Sequence, residues 1–246
     1  MTLLLLPPSE TKRDGGVPRS RLALSRMGYP LLTELRASML DQLVAVSVDD
    51  ETGMRALRIS ARAAAVELER NRRVRSSATL PALERYTGVL YDALAVTEWS
   101  EDARRRAADH VVIQSALFGL LRADDPIPAY RLSHDSRLLD VRLVRHWADP
   151  VARILARHRG PILDLRSEAY SALGPIPGRD DARFVRVVAA GDSHANKSAK
   201  GRYLRTLLES GPMPTTLDGV VARSADLGWI LRPGAPGELD LVVPQD

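Results

Sequence analysis

The chain has 246 residues, of which 45% are hydrophobic and 27% charged, a composition that excludes an intrinsically disordered protein and allows a sizeable buried core. It contains no cysteine, which excludes disulfides, thiolate zinc sites and a cysteine nucleophile. The formal net charge of +4 favours an anionic partner, but only weakly. The apolar run Leu3–Leu6 ends at two prolines and is too short for a signal segment or a membrane span, so we expect a cytoplasmic protein without a membrane anchor.

Short apolar strands alternate with longer helical patterns along the chain. No repeat, low-complexity segment or linker interrupts this alternation, so the sequence predicts a single domain over residues 1–246. The expected fold is mixed α/β (α+β), with a central mixed sheet surrounded by helices. Strands are predicted at Leu3–Leu6, Val111–Gln114, Ile162–Leu165 and Phe184–Ala190, helices at 31–46, 52–74, 101–109, 140–158 (one or two, interrupted at Pro150), 197–209 and 217–223, and a hairpin around 233–237.

Each predicted strand leads into a polar cluster, which is how α/β proteins place functional groups at a crevice. The clusters at 9–12, 122–131, 166–170 and 194–202 follow the four strands in turn. Gly119 precedes the second cluster, which contains a turn that two prolines stiffen. A solvated loop is an equally open interpretation of each cluster taken alone. If the strand ends lie together in one sheet, however, the four clusters converge on one basic cleft.

Lysine is rare in this chain, since only Lys12, Lys197 and Lys200 occur among 35 basic residues. Such a skew is typical of a GC-rich genome. A lysine retained against it is therefore a candidate for a compact point charge or a reactive amine. Lys197 and Lys200 are three residues apart and share a helix face. His194 close by is a candidate base, although a histidine at a helix start is also a common capping residue.

The segment 84–94 combines Arg85, Tyr86 and Tyr91 around Gly88. Aromatic and basic side chains beside a glycine can stack on a nucleic-acid base and clamp it. Core tyrosines with satisfied hydroxyl groups fit the same pattern equally well. The segment therefore remains a candidate base-binding element with a structural alternative.

Several common catalytic and cofactor motifs are absent from the sequence. There is no glycine-rich phosphate loop, no dinucleotide-binding fingerprint and no nucleophile elbow of the G-x-S-x-G type. The five histidines show no metal-ligand spacing, so we predict neither a metal nor a cofactor. A helix-hairpin-helix turn can be drawn through residues 118–121, but it lacks the second glycine usually expected.

Five segments together resemble the YaaA family, the peroxide-stress-response proteins. They are spread over most of the chain in the order in which the family has them. These segments are LLLLPPSETK (3–12), RYTGVLYDAL (85–94), SALFGLLRADDPIPAYRL (115–132), DLRSEAY (164–170) and SHANKSAKGR (193–202).

This resemblance implies a single mixed α/β domain with a family-specific fold, a helix-hairpin-helix-like element and a positively charged cleft. It also implies binding of double-stranded DNA and a role in limiting iron-dependent oxidative damage. The chain departs from the family pattern at Ala123, where a proline is usual, and at Lys12, which follows a PPSE variant of the opening motif. Ala195 replaces a common aromatic residue, which removes a stacking surface.

The first functional hypothesis is a DNA-binding stress protein, whose cations contact phosphates without reading the base sequence. Double-stranded or structured DNA is then the partner, a nucleotide or nucleobase is a further candidate ligand, and we expect a monomer. The residues predicted to bind DNA or ligand are Ser9, Glu10, Lys12, Arg85, Tyr86, Tyr91, Arg122, Asp125, Tyr130, Arg131, Arg166, Ser167, Glu168, Tyr170, His194, Asn196, Lys197, Lys200 and Arg202.

The second hypothesis is an enzyme of the lyase or hydrolase type that acts on a nucleotide, a nucleobase or damaged DNA in the same cleft. The cleft would hold more acid–base groups than phosphate binding requires, and a lysine in such surroundings can act as a base or form a Schiff base. A third interpretation is a site for a small anionic metabolite, with incidental affinity for DNA. The catalytic candidates are Lys12, Glu168, His194, Lys197 and Lys200.

Overall fold

A seven-stranded mixed sheet forms the centre of the protein in a computed structural model that describes residues 1–188 and 193–243. The strand order is β4-β3-β1-β6-β7-β9-β8, and β2 and β5 form a separate two-stranded ribbon. The strands are β1 (Leu3–Leu6), β2 (Leu80–Pro81), β3 (Val111–Ser115), β4 (Gly119–Arg122), β5 (Pro126–Ile127), β6 (Ile162–Asp164), β7 (Ala182–Val188), β8 (Ile230–Pro233) and β9 (Glu238–Val242).

Helices surround this sheet, so the expected α/β fold is confirmed. Among the described residues no helix combines the length and the hydropathy that a membrane span needs. The helices are α1 (Thr33–Val46), α2 (Asp50–Leu57), α3 (Ala61–Arg72), α4 (Ala82–Arg85), α5 (Val89–Leu94), α6 (Glu101–His110), α7 (Leu143–Ala156), α8 (Glu168–Ser171), α9 (Ser193–Glu209) and α10 (Leu217–Asp226), with short 3-10 turns at Leu24–Arg26, Pro30–Leu32 and Val96–Glu98.

The centre of the sheet is parallel, and an antiparallel hairpin closes each edge. Strand β1 pairs in parallel with β3 and β6, and β7 pairs in parallel with β6 and β9. The hairpins β3–β4 and β8–β9 supply the two edge strands. All four leucines of β1 are buried, as expected for a strand covered on both faces.

The chain changes direction between β1 and β6, which are neighbours in the sheet. It leaves β1 toward β3 on one side, and it leaves β6 toward β7 on the other side. Connections that diverge from adjacent parallel strands open a crevice above the carboxyl ends of those strands. The fold therefore places a crevice where the segments after β1 and β6 begin.

The β3–β4 hairpin differs from the expectation for this segment. Residues 119–122 form a strand, so the helix-hairpin-helix turn drawn through 118–121 is not found there. The backbone of Gly119 has φ +66°, a conformation that favours glycine, and the Ser115 hydroxyl accepts hydrogen bonds from the amides of Leu117 and Phe118. These two features reverse the chain directly after β3.

Two helical predictions also need correction. The pattern at 52–74 is two helices, because Arg58 adopts a left-handed conformation at the end of α2 and Ser60 caps α3. By contrast, α7 continues through Pro150. Its buried residues recur every four positions and hold one apolar face on the core, which outweighs the backbone hydrogen bond that proline removes. The predicted end of the fourth strand at Ala190 lies outside the described residues.

Candidate functional site

A cleft of about 590 Å³ lies at the carboxyl ends of β1 and β6. Its lining comes from the segments 7–11 and 165–170, which follow these two strands, and from the first turns of α5 and α9. A wider depression of about 890 Å³ lies along residues 134–146, but a single stretch of chain lines it. We take the cleft as the candidate site because side chains from several elements converge there at the crevice that the topology creates.

Close packing of α9 on α5 gives the cleft its shape. A side chain at Gly201 would collide with the carbonyl oxygen of Leu90, so glycine is required for this approach. The Tyr91 hydroxyl donates a hydrogen bond of 2.7 Å to the carbonyl oxygen of Pro7, which ties α5 to the segment after β1. The predicted ligand-binding residues that this packing brings to the cleft are Ser9, Glu10, Tyr91, Ser167, Tyr170, His194, Asn196, Lys197 and Lys200.

Lys200 lies inside the cleft with its amine against the end of β6. The Nζ atom donates to the carbonyl oxygen of Leu165 at 2.9 Å and lies 3.5 Å from that of Arg166. Burial lowers the pKa of Lys200 to about 8, although the Asp164 charge opposes this shift; the Arg186 charge adds to it. A substantial share of the amine is therefore neutral at slightly alkaline pH.

Lys197 is exposed in the lining of the same cleft, and so is His194. Asn196, between them, has a buried Oδ1 atom with no hydrogen-bond partner among the described residues. Arg202 lies further along α9, is exposed, and does not line the cleft. The first turns of α9 thus supply the exposed Lys197 side chain, which can contact a ligand in the cleft.

Lys12 lies beneath the segment after β1 and does not line the cleft. Its Nζ atom donates to the carbonyl oxygens of Ser9 and Glu10 at 3.0 and 3.2 Å and sits 4.1 Å from the centre of the Tyr130 ring. Burial, followed by the charge of Arg131, lowers the pKa of Lys12 to about 7. Lys12 therefore holds the backbone of two lining residues, Ser9 and Glu10, in place.

Tyr86 and Tyr130 form a buried chain of hydroxyl groups with Ser115. The two phenolic oxygens are 2.7 Å apart, and the Tyr130 oxygen is 2.7 Å from Ser115 Oγ. Burial raises the pKa of both tyrosines well above the ordinary value, so both remain neutral. The geometry therefore favours a structural role for these two tyrosines over a role in clamping a base.

Arg85 and Arg166 are buried completely and hold the scaffold together. Arg166 makes a two-pronged ion pair with Asp164 at 2.8 and 2.7 Å and also donates to Gln114 and the carbonyl oxygen of Gly174. The Arg85 guanidinium donates to four backbone carbonyl oxygens, those of Arg13, Gly15, Ala78 and Ile127. We therefore correct the expected phosphate contacts of both arginines to structural roles.

Arg122 and Asp125 lie away from the cleft. Arg122 pairs with Val112, near the start of β3, whereas the cleft lies at the carboxyl ends of the parallel strands. The Asp125 carboxylate accepts hydrogen bonds from the amides of Gly28 and Arg122 at 2.8 and 2.9 Å and so closes a turn. The expectation that this segment delivers both residues to the crevice is corrected.

Two other predicted residues are engaged beside the cleft. Arg131 Nη2 lies 2.8 Å from Glu10 Oε2, so its charge is partly compensated by a residue of the cleft lining. Glu168 follows β6 but points to an adjoining surface, where its exposed carboxylate lies 3.4 Å from Arg186 Nη2. Neither arrangement is that of an acid–base pair inside the cleft.

Four polar lining residues are not among the predicted site residues: Thr11, Thr87, Ser133 and His134. Thr87 Oγ1 donates to Thr11 Oγ1 at 3.0 Å, and Ser9 Oγ lies 3.3 Å from the same Thr11 oxygen. Thr87 lies within the RYTG segment, in which the aromatic and basic side chains carry the sequence prediction and the hydroxyl group has no signal of its own. Ser133 and His134 follow no strand and carry no recognisable sequence signal.

The whole-chain comparison identifies the family. The family model described as peroxide stress protein YaaA matches residues 2–221. The chain belongs to the YaaA family. This match extends over every segment that lines the cleft, and the β8–β9 hairpin lies beyond it.

Named relatives of this YaaA-family chain are proteins of the UPF0246 group. One from Corynebacterium efficiens is 38% identical over 252 residues, covering 98% of this chain and 100% of the relative. One from Streptomyces coelicolor is 37% identical over 245 residues, covering 96% and 94%. A more distant one from Lactobacillus delbrueckii is 29% identical over 170 residues, covering 65% and 68%. The group label itself specifies no activity.

Proposed function

We propose that this YaaA-family protein acts in the response to hydrogen peroxide by binding DNA at the cleft, which limits iron-dependent oxidative damage to that DNA. The observation that carries the proposal is the arrangement of Lys197 and Lys200 on one face of α9. Lys197 is exposed at the cleft, and Lys200 reaches its interior. Two cations at such positions attract a phosphate backbone without selecting a base sequence.

The size of the cleft limits which form of DNA can enter. A volume of about 590 Å³ is in the range of small-molecule sites and accommodates a single nucleotide. A duplex is far too wide for it. The DNA backbone therefore crosses the rim, and an unpaired nucleotide enters the cleft, as in proteins that take a base out of the helical stack. DNA with a gap or a single-stranded region is the expected preferred partner.

Fluorescence anisotropy of labelled duplex, gapped and single-stranded DNA across a salt series tests this proposal. We expect the gapped DNA to bind more tightly than the intact duplex. A plot of log affinity against log salt has a negative slope. In the variant Lys197→Ala/Lys200→Ala, this slope should become shallower by roughly two units, one for each lost phosphate contact.

A matched control removes two charges elsewhere. Arg105 and Arg153 are exposed on α6 and α7 and do not line the cleft, so Arg105→Ala/Arg153→Ala should retain the wild-type slope. Equal slopes in all three proteins, or equal affinity for intact and gapped duplexes, would contradict the proposal.

A second candidate function is an enzyme acting on damaged DNA or a nucleotide, and the amine of Lys200 favours it. With a pKa lowered to about 8, this amine is available for addition to an aldehyde. The Nζ lone pair would bond to the aldehyde carbon of an abasic site, and loss of water would then leave an imine. Borohydride reduction should trap a covalent adduct in wild type and in Lys197→Ala but none in Lys200→Arg. Trapping that is independent of Lys200 would reject this function.

A further inference from the structure

We infer that the cleft binds a free nucleoside 5′-monophosphate. This inference rests on the proposed function in that it assigns a ligand class to the same cleft. Its argument uses the same two lysines and adds a part of the lining that the proposed DNA contacts do not use. Three kinds of surface meet in the cleft: a group of hydroxyls, an apolar aromatic wall and an amine.

One part of the lining is a cluster of three hydroxyl side chains, those of Ser9, Thr11 and Thr87. The Thr87 hydroxyl donates to the Thr11 hydroxyl, which in turn donates to the carbonyl oxygen of Thr87 at 3.3 Å. Each hydroxyl has one donor hydrogen and two acceptor lone pairs, so these contacts leave acceptor capacity unused. A ribose presents two adjacent hydroxyl donors to such a cluster.

Gly88 keeps the space above these hydroxyls open. Its backbone has φ +97°, and an added Cβ would lie 3.2 Å from Ser9 Oγ and 3.3 Å from Thr11 Oγ1. Any side chain at this position would therefore occupy the space next to the hydroxyl oxygens. Glycine is required here both by the backbone conformation and by access to the cluster.

The aromatic wall is formed by Tyr91, Tyr170 and His134, together with apolar side chains. Tyr91 and Tyr170 are buried, and the His134 ring meets the Tyr170 ring edge-on with their centres 5.2 Å apart. Burial raises the pKa of Tyr170, so this ring remains neutral. A neutral aromatic wall of this kind can contact a nucleobase without selecting among the four bases.

The amine of Lys200 is the third group in the cleft, beside the hydroxyl cluster and the aromatic wall, that a nucleotide can contact. Lys200 places a cation inside the same cleft as the hydroxyls, and Lys197 lies beside it at the solvent side. A phosphate pairs with these charges while the ribose meets the hydroxyls and the base meets the aromatic wall. A nucleoside monophosphate is a small ligand that carries all three groups, and the volume of about 590 Å³ accommodates it.

Isothermal titration calorimetry of the full chain with AMP, GMP, CMP and UMP tests the inference, with adenosine and ribose 5-phosphate as truncated probes. We expect saturable binding of the monophosphates and at least roughly tenfold weaker binding of each truncated probe. Thr87→Val keeps the side-chain volume and should raise the Kd about fivefold, the effect of one lost hydrogen bond. Gly88→Ala should raise it further, and Thr97→Val, an exposed position outside the cleft lining, should leave it unchanged.

Circular dichroism melting identifies any variant that fails to fold. If Gly88→Ala fails to fold, Thr87→Val still tests the inference. No saturable heat for any monophosphate up to millimolar concentration would overturn the inference. Equal Kd values for Thr87→Val and Thr97→Val would overturn it too. DNA binding that depends on Lys197 and Lys200 without nucleotide binding would leave the proposed function standing and reject this inference alone. Nucleotide binding without DNA binding would reject the proposed function and leave this inference standing.

Discussion

The buried amine of Lys12 lowers the free energy of unfolding, and other interactions in the fold compensate for this loss. Its amine lies over the ring of Tyr130 and donates to two backbone carbonyl oxygens, yet burial and the charge of Arg131 lower its pKa to about 7. The folded state therefore disfavours the protonated amine relative to the unfolded state. An uncharged side chain of similar length would avoid this cost.

The pH dependence of stability should reveal this cost. The pKa of Lys12 is about 7 when folded and 10.5 when unfolded, so between these values the unfolded state binds more protons. The destabilisation is complete below pH 7 and disappears as the pH rises toward 10.5. Relative to Lys12→Met, the free energy of unfolding of wild type should therefore rise by up to about 1.4 kcal/mol per pH unit above pH 7.

Urea denaturation of both proteins at pH 7, 8 and 9 measures this difference. Other groups that titrate in this range, Lys200 among them, are present in both proteins and cancel in the comparison. A difference in unfolding free energy that stays constant from pH 7 to pH 9 would show that Lys12 does not titrate as the structure indicates.

The ion pair of Arg166 with Asp164 gives a second prediction at this scale. Both side chains are buried, so Asp164→Asn leaves the guanidinium without its counter-charge in the core. We expect a loss of about 3–5 kcal/mol in the free energy of unfolding, measured by urea denaturation. The matched change Asp149→Asn breaks the exposed pair with Arg153 and should cost less than about 1 kcal/mol. Similar losses in the two variants would contradict the structural role of Arg166.

Among the elements, the β3–β4 hairpin depends most visibly on a single backbone position. Gly119 has φ +66°, and an added Cβ would lie 2.8 Å from the ring of Trp147, which is itself buried on α7. Gly119→Ala therefore combines backbone strain with a collision against a side chain that cannot move easily. We expect it to lower the free energy of unfolding by about 2–4 kcal/mol.

Gly178 provides the control for this prediction. Apart from Gly178 itself and its two chain neighbours, no residue has an atom within 4 Å of the position that its Cβ would take, and its φ is not in the left-handed region. Gly178→Ala should therefore change the free energy of unfolding by less than about 1 kcal/mol. Thermal or urea denaturation of both glycine variants measures the two changes. If Gly119→Ala is as stable as Gly178→Ala, then Trp147 and the backbone adjust more readily than the packing indicates.

Over the whole molecule, the elements with the clearest local pattern were predictable from the sequence. Strand β1 is a fully apolar run, and β6 begins with two apolar residues before Asp164. The helix predicted at 101–109 matches α6, which Ser100 caps. Strand β4 was not, because its short apolar stretch follows a glycine and resembles a turn. The tertiary pairing with β3, which no local pattern encodes, makes it a strand.

The candidate site was predictable to a similar extent. The clusters after β1 and β6 and the start of α9 do meet, because parallel strand ends lie at one edge of a sheet. The arginines were the main difficulty. Arg85 and Arg166 look like surface cations in a basic sequence, and only the carbonyl oxygens and the carboxylate around them show that they are buried. Sequence patterns report charge but not the partners that compensate it.

The position of β1 in the sheet has a consequence for the synthesis of the protein. Leu4 pairs with Val111, and Leu3 pairs with Ile162, so both neighbours of this apolar strand are translated long after it. During elongation β1 has no partner strand until Val111 has left the ribosome, and it has only one until Ile162 has followed. A nascent chain in this state presents an aggregation-prone segment to chaperones. Ribosome-bound chains that stop before β6 should accordingly be cut readily by protease, and chains that include β9 should resist it.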